Sequence, residues 1–156
     1  VAIGNNLSWS VEGGAILDNT QHQLADVGAE ATVVAGYAGG LDISSVGICN
    51  NASVENTRSS GTSVRNDQRC MTLDPYAVTN VSVGGVGGDA TIAATAIANN
   101  LSISGETAAT YLYNTQVNAA AVNAVVNAEL GNVGGNVAAT AAAIGNNVVV
   151  KTGFGD

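Results

Sequence analysis

Three observations predict an all-β domain, a β-solenoid (β-helix) of about three repeats of roughly 47 residues each. The first is a recurring phrase. Ala2-Ile3-Gly4-Asn5-Asn6 returns as Gly47-Ile48-Cys49-Asn50-Asn51, as Ala96-Ile97-Ala98-Asn99-Asn100 and as Ala143-Ile144-Gly145-Asn146-Asn147. The Asn pairs begin at 5, 50, 99 and 146, so the steps are 45, 49 and 47 residues. The second is the alternation that follows each pair. Leu7, Trp9 and Val11 alternate with Ser8, Ser10 and Glu12, and Leu101 and Ile103 with Ser102 and Ser104. A period of two is a strand with one buried face. The third is the corner itself. Asn tolerates left-handed backbone and bonds its own main chain, so Asn-Asn suits a bend leading into a strand.

Repeat one covers about 1–47. Its first strand runs to Gly13-Gly14, a turn signal, and a second follows through Leu17-Asp18-Asn19-Thr20-Gln21. Repeat three, about 96–142, echoes it: Glu106 follows Ser104 as Glu12 follows Ser10, and Leu112-Tyr113-Asn114-Thr115-Gln116 matches the second strand. The second halves also agree. Gly87-Gly88 followed by an Ala/Thr/Ile run aligns without gaps on Gly134-Gly135, and Gly39-Gly40 precedes the corresponding run of repeat one. A terminal strand, 143–156, closes the chain. A unit of this length suits two stacked coils, which predicts about six coils and a body about 30 Å long at roughly 4.8 Å per layer.

Repeat two, about 48–95, is the odd member. Arg58, Arg65 and Arg69, all the arginines of the chain, lie within twelve positions framed by Cys49 and Cys70. This predicts a polar loop excursion over about 52–80, pinned at its base by a Cys49–Cys70 disulfide. Its plain reading is a solvated loop. Its sharper reading is a basic docking element for the acidic surface of the next identical subunit. Over 119–130, Val122, Val125, Val126 and Leu130 also fit helical spacing, while Asn118, Asn123 and Asn127 oppose a helix. Strand is the favoured reading there, with one short helix as the alternative.

Composition narrows the function classes. With 46% hydrophobic and 10% charged residues the chain is not of the disordered type. Its net charge of −8 is repulsive to phosphate, which excludes nucleic acid and disfavours anionic membrane surfaces. No apolar run reaches the ~18–20 residues of a membrane-spanning helix. Two cysteines 21 residues apart and one histidine argue against zinc and for a single disulfide over two buried thiols. A disulfide, scarce lysine and a first residue other than Met predict a secreted, processed protein at the cell surface.

No residues stand out as catalytic, cofactor-binding or metal-ligating, and the expectation is a protein that is not an enzyme. Gly84-Gly85-Val86-Gly87-Gly88-Asp89 resembles one calcium-binding nonapeptide, but such sites need consecutive copies, and Asn136 replaces Asp89 in the aligned repeat. It is read as a glycine turn. His22 stands without a Gly-x-Ser-x-Gly elbow. Glu12, Asp18 and Asp26 could pair for glycoside chemistry only if one face gathered them. Trp9, Tyr37, Tyr76, Tyr111 and Tyr113 could stack sugars but default to packing. Sequons at Asn6, Asn51, Asn80 and Asn100 are largely by-products of the repeat phrase.

The tandem Ala-Ile-Gly-Asn-Asn phrases in an Ala/Asn/Val/Thr-rich chain resemble bacterial surface-fibre proteins, and most closely the holdfast-anchor proteins of stalked α-proteobacteria. That resemblance implies an extracellular or outer-membrane-attached role in adhesion, a β-rich assembly and no catalytic residues. Curli-type subunits are more distant, since their regular Ser/Gln/Asn spacing is missing. Independently, both ends of the chain carry the repeat phrase and neither has the polar or helical character of a solenoid cap. The expectation is therefore a filament subunit that polymerises head to tail with identical subunits. An outer-membrane anchor or a surface polysaccharide is a further expected partner. The alternative is a monomeric adhesin or glycan-binding module.

Overall fold

A computed structural model describes residues 1–12, 15–57, 62–71, 74–105 and 110–152. It contains ten strands: β1 (Ala2–Val11), β2 (Ala15–Gln23), β3 (Gly28–Ala35), β4 (Leu41–Asn56), β5 (Thr62–Cys70), β6 (Tyr76–Val86), β7 (Ala90–Gly105), β8 (Thr110–Asn118), β9 (Asn123–Val133) and β10 (Val137–Thr152). They form three parallel sheets. Sheet A has the order β1-β4-β7-β10, sheet B β2-β5-β8 and sheet C β3-β6-β9. The chain therefore visits A, B and C in that order three times and returns once more to A.

Repeat spacing sets the register. Asn5 pairs with Asn50, Asn50 with Asn99 and Asn99 with Asn146, and the second asparagines follow in step. Leu17, Val64 and Leu112 stack in sheet B, and Ala31, Thr79 and Val126 in sheet C. In parallel sheets a slip of one residue would turn every inward side chain outward, so identical phrases settle on one another.

The expectation of two coils per repeat is corrected here. Each repeat supplies one strand to each sheet, and its strands pair with those of the neighbouring repeats rather than with each other. The reason is strand length. Sheet A strands run to 16 residues, so one pass through sheets A, B and C consumes a whole repeat. Four rungs in sheet A span about 15 Å at roughly 4.8 Å per step, half the expected length.

The loop excursion over 52–80 is corrected too, since most of that segment lies in β4, β5 and β6. In β5 the polarity is hidden in the alternation. Val64, Asn66, Gln68 and Cys70 are buried, while Arg65 is exposed and Asp67 and Arg69 are half-buried. Within 119–130 the favoured strand reading holds from Asn123 onward, because β9 pairs along its length with β6. Tertiary pairing there overrides the helical preference of alanine.

The interior is thin and mostly aliphatic. Leu101, Ile103, Ala52, Val54 and Val64 pack together between sheets A and B, and Val81, Val83, Val86, Ala90 and Ile92 between C and A. The inward face switches phase inside the long sheet A strands. Cys49 and Asn50 are both buried, as are Ala98 and Asn99, so the strand turns its face at the repeat phrase without ending. Two glycines permit close contacts. A Cβ at Gly28 would collide with the ring of Tyr76 one rung above, and one at Gly131 with the carbonyl oxygen of Gly84 one rung below.

Candidate functional site: amide ladders and open sheet edges

The repeat phrase builds two columns of side-chain amides along sheet A. In the inner column Asn5 Nδ2 donates to Asn50 Oδ1 at 2.8 Å, Asn50 Nδ2 to Asn99 Oδ1 at 2.8 Å and Asn99 Nδ2 to Asn146 Oδ1 at 2.7 Å. In the outer column the direction is opposite. Asn147 Nδ2 donates to Asn100 Oδ1, Asn100 Nδ2 to Asn51 Oδ1 and Asn51 Nδ2 to Asn6 Oδ1, each at 2.7 Å. All eight asparagines singled out from the sequence fall on these columns. Buried amides stay satisfied when an identical amide lies directly above and below, the arrangement of an Asn/Gln ladder.

Sheet B carries two further ladders. Asn19 donates to Asn66 at 2.6 Å and Asn66 to Asn114 at 2.7 Å. Gln116 donates to Gln68 and Gln68 to Gln21, both at 2.8 Å, and each glutamine also reaches a sheet A carbonyl, of Asn147, Asn100 and Asn51 respectively. These glutamines therefore tie one sheet to the next. Their role is missed by an inspection for chemistry, though the recurring Asn-Thr-Gln phrase carried the signal.

The Cys49–Cys70 disulfide is formed, with the Cα atoms 6.2 Å apart and both residues buried. It joins β4 to the end of β5, beside Ala98. Arg65 and Arg69 lie on the outer face of sheet B rather than in a loop. Arg65 Nη1 is 3.8 Å from Asp18 Oδ1 with both side chains well exposed, and Arg69 makes a two-point contact with Asp67 at 2.9 Å. The hydrogen bond from Arg69 holds the Asp67 carboxyl below its ordinary 3.8, against desolvation that would raise it. The same bond raises the Arg69 guanidinium. Arg58, Gly13, Gly14 and Glu106 lie outside the described residues.

The aromatics do not gather. Trp9 is partly buried against the core, Tyr37 lies beside Gly85, and Tyr76 covers Gly28, while Tyr111 and Tyr113 project together from β8. Asp89 Oδ1 accepts the backbone N–H of Asn136 at 2.8 Å, tying the glycine turn to the turn above. Among the described residues, no three His, Cys, Asp or Glu side chains converge as metal ligands would.

The open edges are the other outstanding feature. Among the described residues, β1 and β10 each pair on one side only. Val148 and Val150 sit directly on Leu101 and Ile103, which are 0% and 4% exposed, yet are themselves 43% and 45% exposed. Among the described residues, β10 continues the interior column with its apolar side chains exposed.

All of the chain, residues 1–156, matches the family described as Holdfast attachment protein D. The chain belongs to that family. No curated protein matches, and no solved structure matches. Membership in the holdfast attachment protein D family carries a cell-surface location and a part in surface attachment. The disulfide fits such a location, because an oxidising compartment preserves it.

Proposed function

We propose that this chain is a secreted, non-enzymatic structural subunit of an extracellular bacterial filament that serves surface attachment. Its three sheets are the sides of a β-solenoid, and subunits stack head to tail with identical subunits. The observation that supports this reading most is the exposure of Val148 and Val150 on an interior column whose middle members, Ala52, Val54, Leu101 and Ile103, are buried. An uncovered strand edge with an apolar flank favours pairing with another chain, and removing that surface from water favours it further. Attachment to an outer-membrane anchor or a surface polysaccharide would then link the filament to its surroundings. Negative-stain microscopy across a concentration series tests the reading. Filaments that lengthen with concentration are expected, and single particles at every concentration would overturn it.

A second reading, a monomeric glycan-binding adhesin, draws on the outer face of sheet C. An open groove of about 500 Å³ crosses that face, and Asn127 there donates to Asn80 at 2.9 Å. Paired amides in a shallow groove suit sugar hydroxyls. Binding to a glycan array by a protein that stays monomeric would favour this reading over the first.

A further inference from the structure

We infer that the ends of the two sheet A amide ladders fix one polarity of joint, in which Asn146 and Asn147 of one copy meet Asn5 and Asn6 of the next in parallel register. This rests on the stacking reading above and specifies it. Because the inner ladder donates toward β10 and the outer toward β1, each end of the sheet presents a different pair of groups. At the β10 end the inner asparagine, Asn146, gives one Nδ2 N–H to the Gln116 carbonyl and has the other to offer, and the outer, Asn147, offers Oδ1. At the β1 end the inner Asn5 offers Oδ1 and the outer Asn6 offers Nδ2. A copy stacked in parallel places donor on acceptor in both columns. A copy related by a two-fold axis runs antiparallel, so at most one of the two columns meets its own counterpart, donor on donor for Asn146 or acceptor on acceptor for Asn147, and the other column is left without a partner amide.

The sequences of the two outer strands of sheet A agree. Ala2-Ile3-Gly4-Asn5-Asn6 and Ala143-Ile144-Gly145-Asn146-Asn147 are identical, whereas both interior copies differ at the residue before the Asn pair, with Cys49 and Ala98. The register of the existing pairs carries over, setting Ile3 on Ile144, Leu7 on Val148 and Trp9 on Val150. Sheet A has four rungs and sheets B and C three, so β1 docked on β10 leaves a rung's width open on the other two sides. The bonds of the joint come from sheet A.

One substitution isolates the joint, and a second bears on it from the other side. Within the chain Asn6 accepts from Asn51 and Asn146 accepts from Asn99, bonds that a carboxylate also accepts. Asn6→Asp therefore keeps its ladder bond and removes only the donor facing the next copy. Asn146→Asp keeps its ladder bond but also removes the N–H that Asn146 gives to the Gln116 carbonyl at 3.2 Å. In the 156-residue chain Asn6→Asp is expected to melt with the wild type and Asn146→Asp below it, since the latter also loses its bond to Gln116. Asn6→Asp should need about tenfold more protein to assemble, as loss of one bond against a fixed acceptor implies. Asn6→Asp added as a minority should also shorten wild-type filaments, by docking through its intact β10 end and stopping growth.

A second measurement stands apart from the melting behaviour. Ser8 and Val149 occupy equivalent outward positions, as their shared partners Ser53 and Ser102 show. A chain with Ser8→Cys and Val149→Cys together should oxidise to a ladder of covalent multimers, and Val149→Cys alone should stay uncrosslinked. Wild-type filaments with unimpaired Asn6→Asp and Asn146→Asp assembly, or dimers from Val149→Cys alone, overturn the polarity and leave the stacking reading standing. Absence of any wild-type assembly overturns both.

Discussion

Asn50 donates its side-chain N–H to Asn99 Oδ1 at 2.8 Å, although 49 residues separate the two and both are 0% exposed. Asn50 also accepts from Asn5, so it is an interior link of a ladder rather than its end. Asn50→Ala orphans a donor on Asn5 and an acceptor on Asn99. A buried unpaired group costs about 1–3 kcal/mol. Urea unfolding should show a loss in that range or above, whereas Asn127→Ala, in an exposed pair, should change stability by about 0.5 kcal/mol or less. Equal losses for the two would show that burial gives the ladder no added weight.

The disulfide makes a separate claim on stability. Cys49 and Cys70 close a loop of 21 residues, for which the chain-entropy account gives about 3 kcal/mol. Replacing both with Ala should lower the denaturant midpoint accordingly, and wild type unfolded in reductant should fall toward the same value. A change below about 1 kcal/mol would mean that rung pairing already restricts the unfolded chain at this point.

Two glycines two rungs apart, on either side of Gly84, offer a direct comparison of packing. At Gly131 a methyl group meets the Gly84 carbonyl, while at Gly36 nothing lies within 4 Å. Gly131→Ala must push two rungs of sheet C apart and should cost about 1–3 kcal/mol, the usual penalty of overpacking. Gly36→Ala should stay within about 0.5 kcal/mol of wild type. Thermal melts of the two variants side by side give the answer.

The Asp67–Arg69 pair sets an acid response. The guanidinium hydrogen bond depresses the Asp67 pKa in the folded chain, so the stability it contributes is present above the unfolded value of 3.8. It is lost as pH falls through the still lower folded value. An acid titration followed by circular dichroism should therefore show a component below pH 3.8 that Asp67→Asn lacks. Both side chains are substantially exposed, so the component is small and shrinks with added salt. A matching acid profile for the variant would remove the pair from the account.

Much of this architecture was legible in the residues. Four Asn-Asn phrases at near-constant spacing named the rungs, and the alternation of Leu101, Ser102 and Ile103 named their inner face. The cysteine pairing was legible as well. Less legible was β5, where Arg65, Asp67 and Arg69 look like a solvated loop until Asn66 and Gln68 are seen to face inward. An amide is polar to any inspection of the sequence, and becomes a core group only when its twin lies one rung away.

By itself the sequence determined the period, the strand character, the register of like on like and the disulfide, because each is written in local patterns repeated along the chain. Tertiary structure alone decided that one repeat makes one circuit of three sheets, that residues 123–133 are strand, and that the two sheet A ladders run in opposite directions. Those outcomes depend on which groups meet across 45 to 49 residues of chain, where pairing and amide orientation are set by neighbours that no local window contains.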